Sequence, residues 1–217
     1  MPDAKFDTTS TPNIRISKAT DSLQIRGWDQ PQIRINSEIA DAVTVDIQDD
    51  DFDIQVKCGA VIRVPVNADI EIDHAASDLV VKGVYGNLIV GTAASTTTFK
   101  SVESLEIQSV KGSLIVKDAE GDLSVEEVRG NATIREISGK ITLDEVTGNI
   151  NLRGYISNAD MESSGNINAI VNLDTDGTYN LVAGGNCTFR TDTEFNGKVE
   201  LTSGSGRISV RTPNQSE

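Results

Sequence analysis

Apolar residues recur in a short, fixed pattern through the middle of the chain. Between residues 112 and 152 every ninth residue is a glycine, at Gly112, Gly121, Gly130, Gly139 and Gly148. With each glycine counted as position zero, positions two, four and seven are apolar, and Tyr155 takes position seven of the last unit. The spacing of two predicts a strand with one buried face, and the step of three predicts a turn that points the next apolar side chain inward. Each unit is therefore predicted to be one strand and one corner, where glycine permits a tight turn.

The alternation continues on both sides of this segment and predicts a regular β-solenoid over residues 61–211. Ile62 and Val64 repeat it upstream, and Ile208 and Val210 repeat it downstream. The unit STTTFKSV is one residue short and weakly apolar. No segment combines a 3.6-residue period with helix caps, so we predict essentially no helix.

The two ends of the chain depart from this regularity. Residues 12–60 have looser spacing and include RGWDQPQ, so we predict an N-terminal β cap with irregular first coils, partly antiparallel. Residues 1–11 and 212–217 are predicted to be disordered tails of one continuous domain.

A series of short strands fits either an antiparallel meander or sandwich, or a parallel β-solenoid (a β-helix or roll). The constant unit length favours the solenoid, because stacked coils repeat at a fixed period. Hairpin signals are few, and FNGK at residues 195–198 is the main one. The predicted fold class is therefore an all-β, parallel β-solenoid.

The number of faces per coil rests on which residues repeat at the coil period. Asparagine follows the corner in every second unit, at Asn131, Asn149, Asn166 and Asn186. Stacked asparagines can form a hydrogen-bonded ladder, which favours two faces and about 18 to 21 residues per coil. Position five favours three faces instead. Its residues are Lys117, Glu126, Arg135, Asp144 and Arg153. A coil with two faces would stack like charges at this position, whereas a coil with three faces would stack opposite charges. Exposed like charges cost only tenths of a kcal/mol, so two faces are favoured and three stay open.

The charge and composition of the chain indicate which classes of partner it can bind. The chain carries 33 Asp and Glu against 19 Lys and Arg, for a formal net charge of −14. Nucleic acids and anionic membranes bind to basic patches, so this balance predicts neither as a partner. No apolar stretch approaches the roughly 20 residues of a membrane-spanning helix. The start of the chain has no basic segment followed by an apolar one, so we expect a cytoplasmic protein as written, or a cell-surface protein if a leader has been removed.

The acidic run DIQDDDFDIQ is the main candidate for a metal site. Asp46, Asp49, Asp50, Asp51 and Asp53 could offer carboxylates to calcium. The run lacks the spacing and the glycine of an EF-hand, and the repeats lack the calcium-binding nonapeptide pattern. We favour a solvated loop between two strands.

The remaining candidate residues also favour structural roles. His74, beside acidic neighbours, is predicted at a surface strand end, and GSGR at residues 204–207 is predicted to be a corner. Trp28 is predicted to plug the open end of the core, and Cys187 to be a core residue. Two cysteines and one histidine do not make a typical zinc site. We therefore predict no catalytic, cofactor-binding or metal-binding residues.

Several segments together resemble a known family. DSLQIRGWDQPQIRI, VIRVPVNADIEIDHAASDLVVKGV and the serial units GDLSV, GNINL and GSGRISV are similar to an uncharacterised bacterial family of candidate adhesins with β-strand repeats. That family is related to adhesin head domains marked by a Gly-Ile-Asn signature. The resemblance covers roughly residues 12 to 212. It implies a parallel β-helical fold and a binding or structural role, and it carries no catalytic residues over to this chain.

The leading hypothesis is a non-enzymatic, adhesin-like binding or structural β-solenoid that contacts a protein or polysaccharide surface. The alternative is a cytoplasmic scaffold that self-associates end to end through the ends of the solenoid. A polysaccharide-active β-helix enzyme ranks third, because such an enzyme needs long loops around a cleft and the turns here are short.

Overall fold

The computed structural model describes residues 3–174, 176–194 and 196–213. Within these ranges the chain forms nineteen strands and one 3-10 turn, Ala40–Ala42. The strands are β1 (Asp3–Asp7), β2 (Asn13–Ala19), β3 (Leu23–Trp28), β4 (Gln32–Ser37), β5 (Val43–Gln48), β6 (Asp51–Val56), β7 (Ala60–Pro65), β8 (Asp69–Ala75), β9 (Leu79–Ala93), β10 (Thr97–Val110), β11 (Leu114–Ala119), β12 (Leu123–Val128), β13 (Ala132–Val146), β14 (Ile150–Ser163), β15 (Ile167–Leu173), β16 (Thr178–Ala183), β17 (Cys187–Arg190), β18 (Lys198–Ser203) and β19 (Ile208–Arg211). The predicted all-β fold class is confirmed.

The strands stack in two columns and form a parallel β-solenoid of about eight turns. The first column runs through β4, β7, β3, the first halves of β9 and β10, β11, the first halves of β13 and β14, β15, β17 and β19. The second column runs through β5, β6, β2, β8, the second halves of β9 and β10, β12, the second halves of β13 and β14, β16 and β18. Leu114 pairs with Ala132 and Ala132 with Ile150. Two strands therefore make one coil, so two faces are confirmed and the three-face coil is wrong.

The core lies between the two columns and is filled mainly by aliphatic side chains. Residues at positions two, four and seven point inward, and Ile134 and Leu143 are at most 1% exposed. Each fully buried Val, Leu or Ile side chain stabilises the fold by about 1.5–3 kcal/mol. Phe99, Tyr179 and Phe189 are the largest fully buried side chains. Cys187 is also buried in the core, as the sequence predicted.

The corner glycines recur because successive coils touch backbone to backbone. The amide of Gly130 donates to the carbonyl of Gly112 at 2.9 Å, and the amide of Gly148 donates to the carbonyl of Gly130 at 3.1 Å. A Cβ atom on Gly130 or Gly148 would lie 2.4 Å from the carbonyl oxygen below it. The requirement for glycine is therefore this close approach between coils, not the turn conformation that the sequence suggested.

The asparagines form the predicted ladder at one edge of the solenoid. The Asn131 Oδ1 atom accepts from the Asn149 backbone amide at 2.8 Å and from Asn149 Nδ2 at 3.3 Å. Asn166 repeats both bonds to Asn149, and Asn186 repeats both to Asn166. Each side chain thus satisfies a corner amide of the next coil, which accounts for the recurrence of asparagine at this position.

In the first column, the step of three coincides with a left-handed residue in five successive coils, from β9 to β14. These residues have φ between 52° and 86° and are Gly83, Ser101, Asp118, Glu136 and Gly154. At the last of them the coil contains one extra residue. Tyr155 is consequently 39% exposed, while Ile156 is buried in the core. The prediction that Tyr155 points inward is wrong for this reason.

The first coils do not stack in chain order. The coil made by β2 and β3 lies between the coil of β6 and β7 and the coil of β8 and β9. After β3 the chain leaves the stack, forms β4 and β5, and returns with β6 on the far side of β2. Strands β4 and β5 pair antiparallel with β7 and β6, so this end of the core is closed by strands of opposite direction.

The predicted disordered tail at residues 1–11 is wrong for the residues described. Residues 3–7 form β1, which pairs antiparallel with β4. Phe6 meets Phe52 edge to face, with ring centroids 6.4 Å apart, and Asp3 forms a salt bridge with Arg34 at 2.8 Å. The sequence signal was weak because β1 has one large apolar residue. In the predicted tail at 212–217, residues 214–217 lie outside the described residues.

Trp28 does not plug an end of the core. It ends β3, a strand inside the stack, and its side chain is only half-buried. The indole Nε1 donates to the Gln32 carbonyl at 2.7 Å, and the Arg63 guanidinium lies 5.9 Å from the ring centroid. The indole therefore braces the turn between β3 and β4 from outside the core.

The two ends of the solenoid are unlike. The N-terminal end carries β1, β4 and β5 over the core. At the other end, Ile208 and Val210 of β19 are 44% and 41% exposed. End-to-end self-association stays a prediction, and a head-to-tail contact would have to involve the antiparallel strands of the covered end.

Candidate binding surface

A row of basic side chains runs the length of the first column on its outer face. Position five of each strand is paired in register with position five of the next, and nearly every such residue is Lys or Arg. We name this row the basic ladder; its members are Lys5, Arg34, Arg63, Arg26, Lys82, Lys100, Lys117, Arg135, Arg153, Arg190 and Arg211. Ile170 is the one apolar member of the row, between Arg153 and Arg190. The ladder holds more than half of the 19 Lys and Arg residues of the chain.

The central part of the ladder is free of ion pairs. Arg34 pairs with Asp3 and Arg190 with Asp192, near the two ends. Among the described residues, no salt bridge involves the five consecutive members Lys82, Lys100, Lys117, Arg135 and Arg153. Neighbouring strands are about 4.8 Å apart, so these cations are stacked at that spacing. Like charges directly opposite each other destabilise a sheet, so folding does not explain their presence.

A mostly polar row lies beside the ladder on the same face. It occupies position three of each strand, two residues before the basic residue, and includes Thr98, Thr133, Asn151, Asn168 and Thr188. Val61, Val80 and Ile115 interrupt it. Beyond it stands the asparagine ladder of the corner. The first face therefore presents amides and hydroxyls next to a line of positive charge.

The outer face of the second column has the opposite charge. From β8 onward its outward positions three and five carry the carboxylates of Glu71, Asp73, Glu106, Glu126, Asp144, Asp160, Glu162 and Glu200. Arg15, in the strand next to β8, is held by Asp73 at 2.7 Å. The net charge of −14 thus conceals a separation of charge between the two faces. The premise that the chain lacks a basic patch is wrong, although the prediction of no nucleic-acid partner stays a prediction.

The acidic run spans a β-hairpin, with Asp46 in its first strand and Asp51 and Asp53 in its second. Asp49 and Asp50 make the turn between β5 and β6, and Asp49 has a left-handed φ of 56°. Asp51 accepts from Asn13 Nδ2 at 2.7 Å, and Asp53 accepts from Ser17 Oγ at 2.7 Å. Within the described part of the chain, no group of three or more His, Cys, Asp or Glu residues is placed to hold a metal ion.

Asp50 fastens the segment after β1 to this hairpin. Its Oδ1 atom accepts from Thr8 Oγ1 at 2.5 Å and from the Thr9 amide at 3.2 Å, and its Oδ2 atom accepts from Thr9 Oγ1. The hydroxyls of Thr8 and then Thr9 lower the pKa of Asp50 below its ordinary 3.8. The guanidinium of Arg34 likewise lowers the pKa of Asp3.

Low pH is expected to detach β1 from β4 and from the hairpin of β5 and β6. Because the folded pKa values of Asp50 and Asp3 are depressed, their stabilisation is complete above the ordinary pKa of 3.8 and is lost as the pH falls through the lower folded values. Hydrogen exchange of residues 3–9, corrected for the intrinsic rate, should show protection at pH 7 that is progressively lost as the pH is lowered from 3.8 to about 2. Asp50→Asn with Asp3→Asn should weaken protection at pH 7 and flatten its pH dependence. Equal protection of the native chain at pH 7 and at about pH 2 would contradict the prediction.

A surface groove borders the acidic hairpin. It has a volume of about 540 Å³ and crosses β5, β6, β2, β8 and β9 on the outer face of the second column. Its lining includes Asp46, Asp53, Arg15, Glu71 and Ile89. Arg15 is surrounded by the carboxylates of this lining, so the groove is acidic and does not suit an anionic ligand.

The other candidates from the sequence have structural positions. His74 is the penultimate residue of β8 and is partly buried, and residues 204–207 connect β18 with β19. Cys58 and Cys187 are both buried and free. Burial raises the pKa of the Cys187 thiol, which disfavours its reactive thiolate form.

The sequence contained the signal for the basic ladder, but its meaning depended on the coil length. Position five alternates in charge along the chain, as in Lys117, Glu126, Arg135 and Asp144. With two strands per coil, this alternation sorts the basic residues into one column and the acidic residues into the other.

Comparisons with known proteins identify no family. No protein-family model matches the chain, and no curated protein matches it. Among solved structures, a candidate adhesin from Bacteroides fragilis NCTC 9343 is 10% identical, with 97% of this chain and 96% of that chain covered and a TM-score of 0.40. A candidate cell adhesion protein from Clostridium sporogenes ATCC 15579 is 9% identical, with 97% and 99% covered and a TM-score of 0.26. At such identities and superpositions, neither structure decides what this chain does. No helix in the described residues is long and apolar enough to cross a membrane.

Proposed function

We propose that the chain is a non-enzymatic, adhesin-like binding module that holds an extended anionic polymer on its first face. The observation that carries this proposal is the run of five stacked cations that form no ion pair with any described residue, in a chain with a net charge of −14. Each stacked pair of like charges costs tenths of a kcal/mol, and a bound polyanion would neutralise the whole run at once. A flat β face offers such a polymer a long, straight contact.

The distribution of perturbed carboxyl groups supports a binding role over a catalytic one. The pKa is lowered at Asp3, Asp50 and Glu127, and in each case hydrogen bonds from adjacent side chains explain the shift. Arg129 and then Ser109 are the donors to Glu127. The three carboxyls lie on different strands or turns and do not converge on one cleft, as the acid and base of an active site would.

The proposal is tested by neutralising the centre of the ladder. Lys100→Gln, Lys117→Gln and Arg135→Gln together should weaken binding of fluorescent dextran sulfate at least about tenfold, since each basic residue beside an anionic surface contributes about 1 kcal/mol. Binding of the native chain should also fall steeply with added salt. Fluorescence anisotropy at several salt concentrations measures both effects.

The matched control removes the same charge elsewhere. Lys57, Lys111 and Lys140 are exposed and lie outside the ladder, so their joint replacement by Gln changes the net charge equally. This control should retain most of the affinity. The proposal fails if the control loses as much affinity as the ladder variant, or if the native chain does not bind dextran sulfate.

A further inference from the structure

We infer that the polymer held on the basic ladder is a linear polysaccharide of acidic sugars, lying along the solenoid axis. This inference rests on the proposed function and names the ligand class for the same surface. Three features carry it: the spacing of the cations, the width of the basic stripe, and the chemistry of the row beside it.

The spacing of the ladder suits a chain of sugar rings. The central cations repeat at the strand spacing of about 4.8 Å, and an extended chain of linked pyranose rings advances by roughly one such spacing per ring. Because successive rings are turned about the chain axis, a uronic acid polymer brings a carboxylate to the ladder at whole multiples of this spacing and so stays in step with the coils. The phosphates on each strand of a B-form duplex are about 3.4 Å apart along the axis, so they fall out of step within a few coils.

The basic stripe is one side chain wide and is bounded by acidic residues on one side. Asp118 and Glu136 directly follow Lys117 and Arg135, and Glu103 and Glu120 lie at the adjacent corner. A thin polymer can lie on the cations and avoid these carboxylates. A duplex is broader and has a higher charge density, so it would meet both the acidic border and the repulsion of the chain's net charge.

The row beside the ladder suits sugar hydroxyls better than bases. Thr133, Asn151 and Asn168 stand at position three of successive coils and offer hydroxyl and amide groups. Single-stranded nucleic acids are held by aromatic platforms on which successive bases stack. The exposed tyrosines near this face, Tyr85 and Tyr155, are four coils apart, so they cannot form such a series.

The inference is tested by comparing polymers at equal anion concentration and equal salt, in the presence of a chelator. Polygalacturonate, which has a carboxylate on every ring, should bind the native chain at least fivefold more tightly than hyaluronan, which has one on every second ring. Dextran should not bind. Single-stranded oligothymidylate should bind at least fivefold more weakly than polygalacturonate. The ladder variant Lys100→Gln, Lys117→Gln, Arg135→Gln should lose polygalacturonate binding.

Variants of the polar row separate recognition of sugars from simple charge attraction. Thr133→Val with Asn151→Leu should weaken polygalacturonate binding about threefold to tenfold and leave unchanged the binding of polyglutamate, an anionic polymer without sugar rings. Thr142→Val, on the acidic face, is the control and should change neither. Equal or tighter binding of oligothymidylate, or an unchanged polygalacturonate affinity in the polar-row variant, would overturn the polysaccharide inference and leave the anionic-polymer proposal standing. Failure of dextran sulfate to bind at all would overturn both.

Discussion

Replacing Gly27 by alanine should cost about 3 kcal/mol or more of the free energy of unfolding, which is at the upper end of the range for an overpacked site. A Cβ atom at this position would lie 1.7 Å from the backbone carbonyl oxygen of Gly83 in the neighbouring strand β9. That atom cannot rotate away as a side chain can. Relief requires a shift of β3 against β9, and β3 is held on both sides because it also pairs with β7.

Gly83 provides the matched control for this substitution. A Cβ atom on Gly83 would have no atom within 4 Å, but its φ of +67° lies in the left-handed region. Gly83→Ala should therefore cost only about 1–2 kcal/mol, from backbone strain alone. Urea unfolding of the two variants, followed by circular dichroism, compares the costs directly. Equal destabilisation would show that β3 and β9 can separate without loss and would contradict the close approach of the two strands.

The repeating part of the fold could be predicted because its information is local. The alternation of apolar residues gave the strands, and the asparagine in every second unit gave two strands per coil, since stacked residues share chemistry. Asn131 and Asn149 form the ladder that this spacing predicts. Position five misled only because like charges were treated as a cost to be avoided, whereas the structure stacks them.

The parts that could not be predicted depend on contacts between distant segments. The placement of β2 and β3 inside the stack, with β6 and β7 outside them, leaves the local apolar pattern unchanged. A strand pattern states which face is buried, not which neighbour it has. Trp28 was assigned to an open end because it is bulky and lies in the segment predicted to be the N-terminal cap, but its strand β3 lies inside the stack. A count of apolar positions also could not reveal the extra residue at Gly154, which turns Tyr155 outward.

The candidate binding surface was the hardest part to foresee, because a net charge averages over the whole molecule. Asp144 and Glu126 belong to the second face, while Lys117 and Arg135 belong to the first. Once each coil is folded, residues nine apart lie on opposite faces and residues 18 apart lie side by side. Charge patterns in a solenoid are therefore informative only after the coil length is known.

Phe99 should be among the most costly core positions to truncate. The unit that contains it looked weakly apolar in the sequence, yet the ring is fully buried in β10, between Val81 of β9 and Val116 of β11. Phe99→Ala should reduce the free energy of unfolding by about 3–5 kcal/mol. The upper part of that range is expected because β10 is hydrogen-bonded to a strand on each side, which limits collapse of the surrounding backbone into the cavity.

The control for this prediction is a phenylalanine at the edge of the same fold. Phe6 lies on the terminal strand β1, is only partly buried, and contacts the ring of Phe52. In a solenoid each coil is stabilised mainly by its two neighbours, so Phe6→Ala should detach β1 and change global unfolding in urea by less than about 1.5 kcal/mol, as expected for a side chain that keeps part of its exposure. Hydrogen exchange should show the loss confined to β1 and β4 in that variant, and spread over β9, β10 and β11 in Phe99→Ala. A local and small effect of Phe99→Ala would mean that neighbouring coils can close around the missing ring, and that the backbone ladders restrain the core less than their continuous pairing implies.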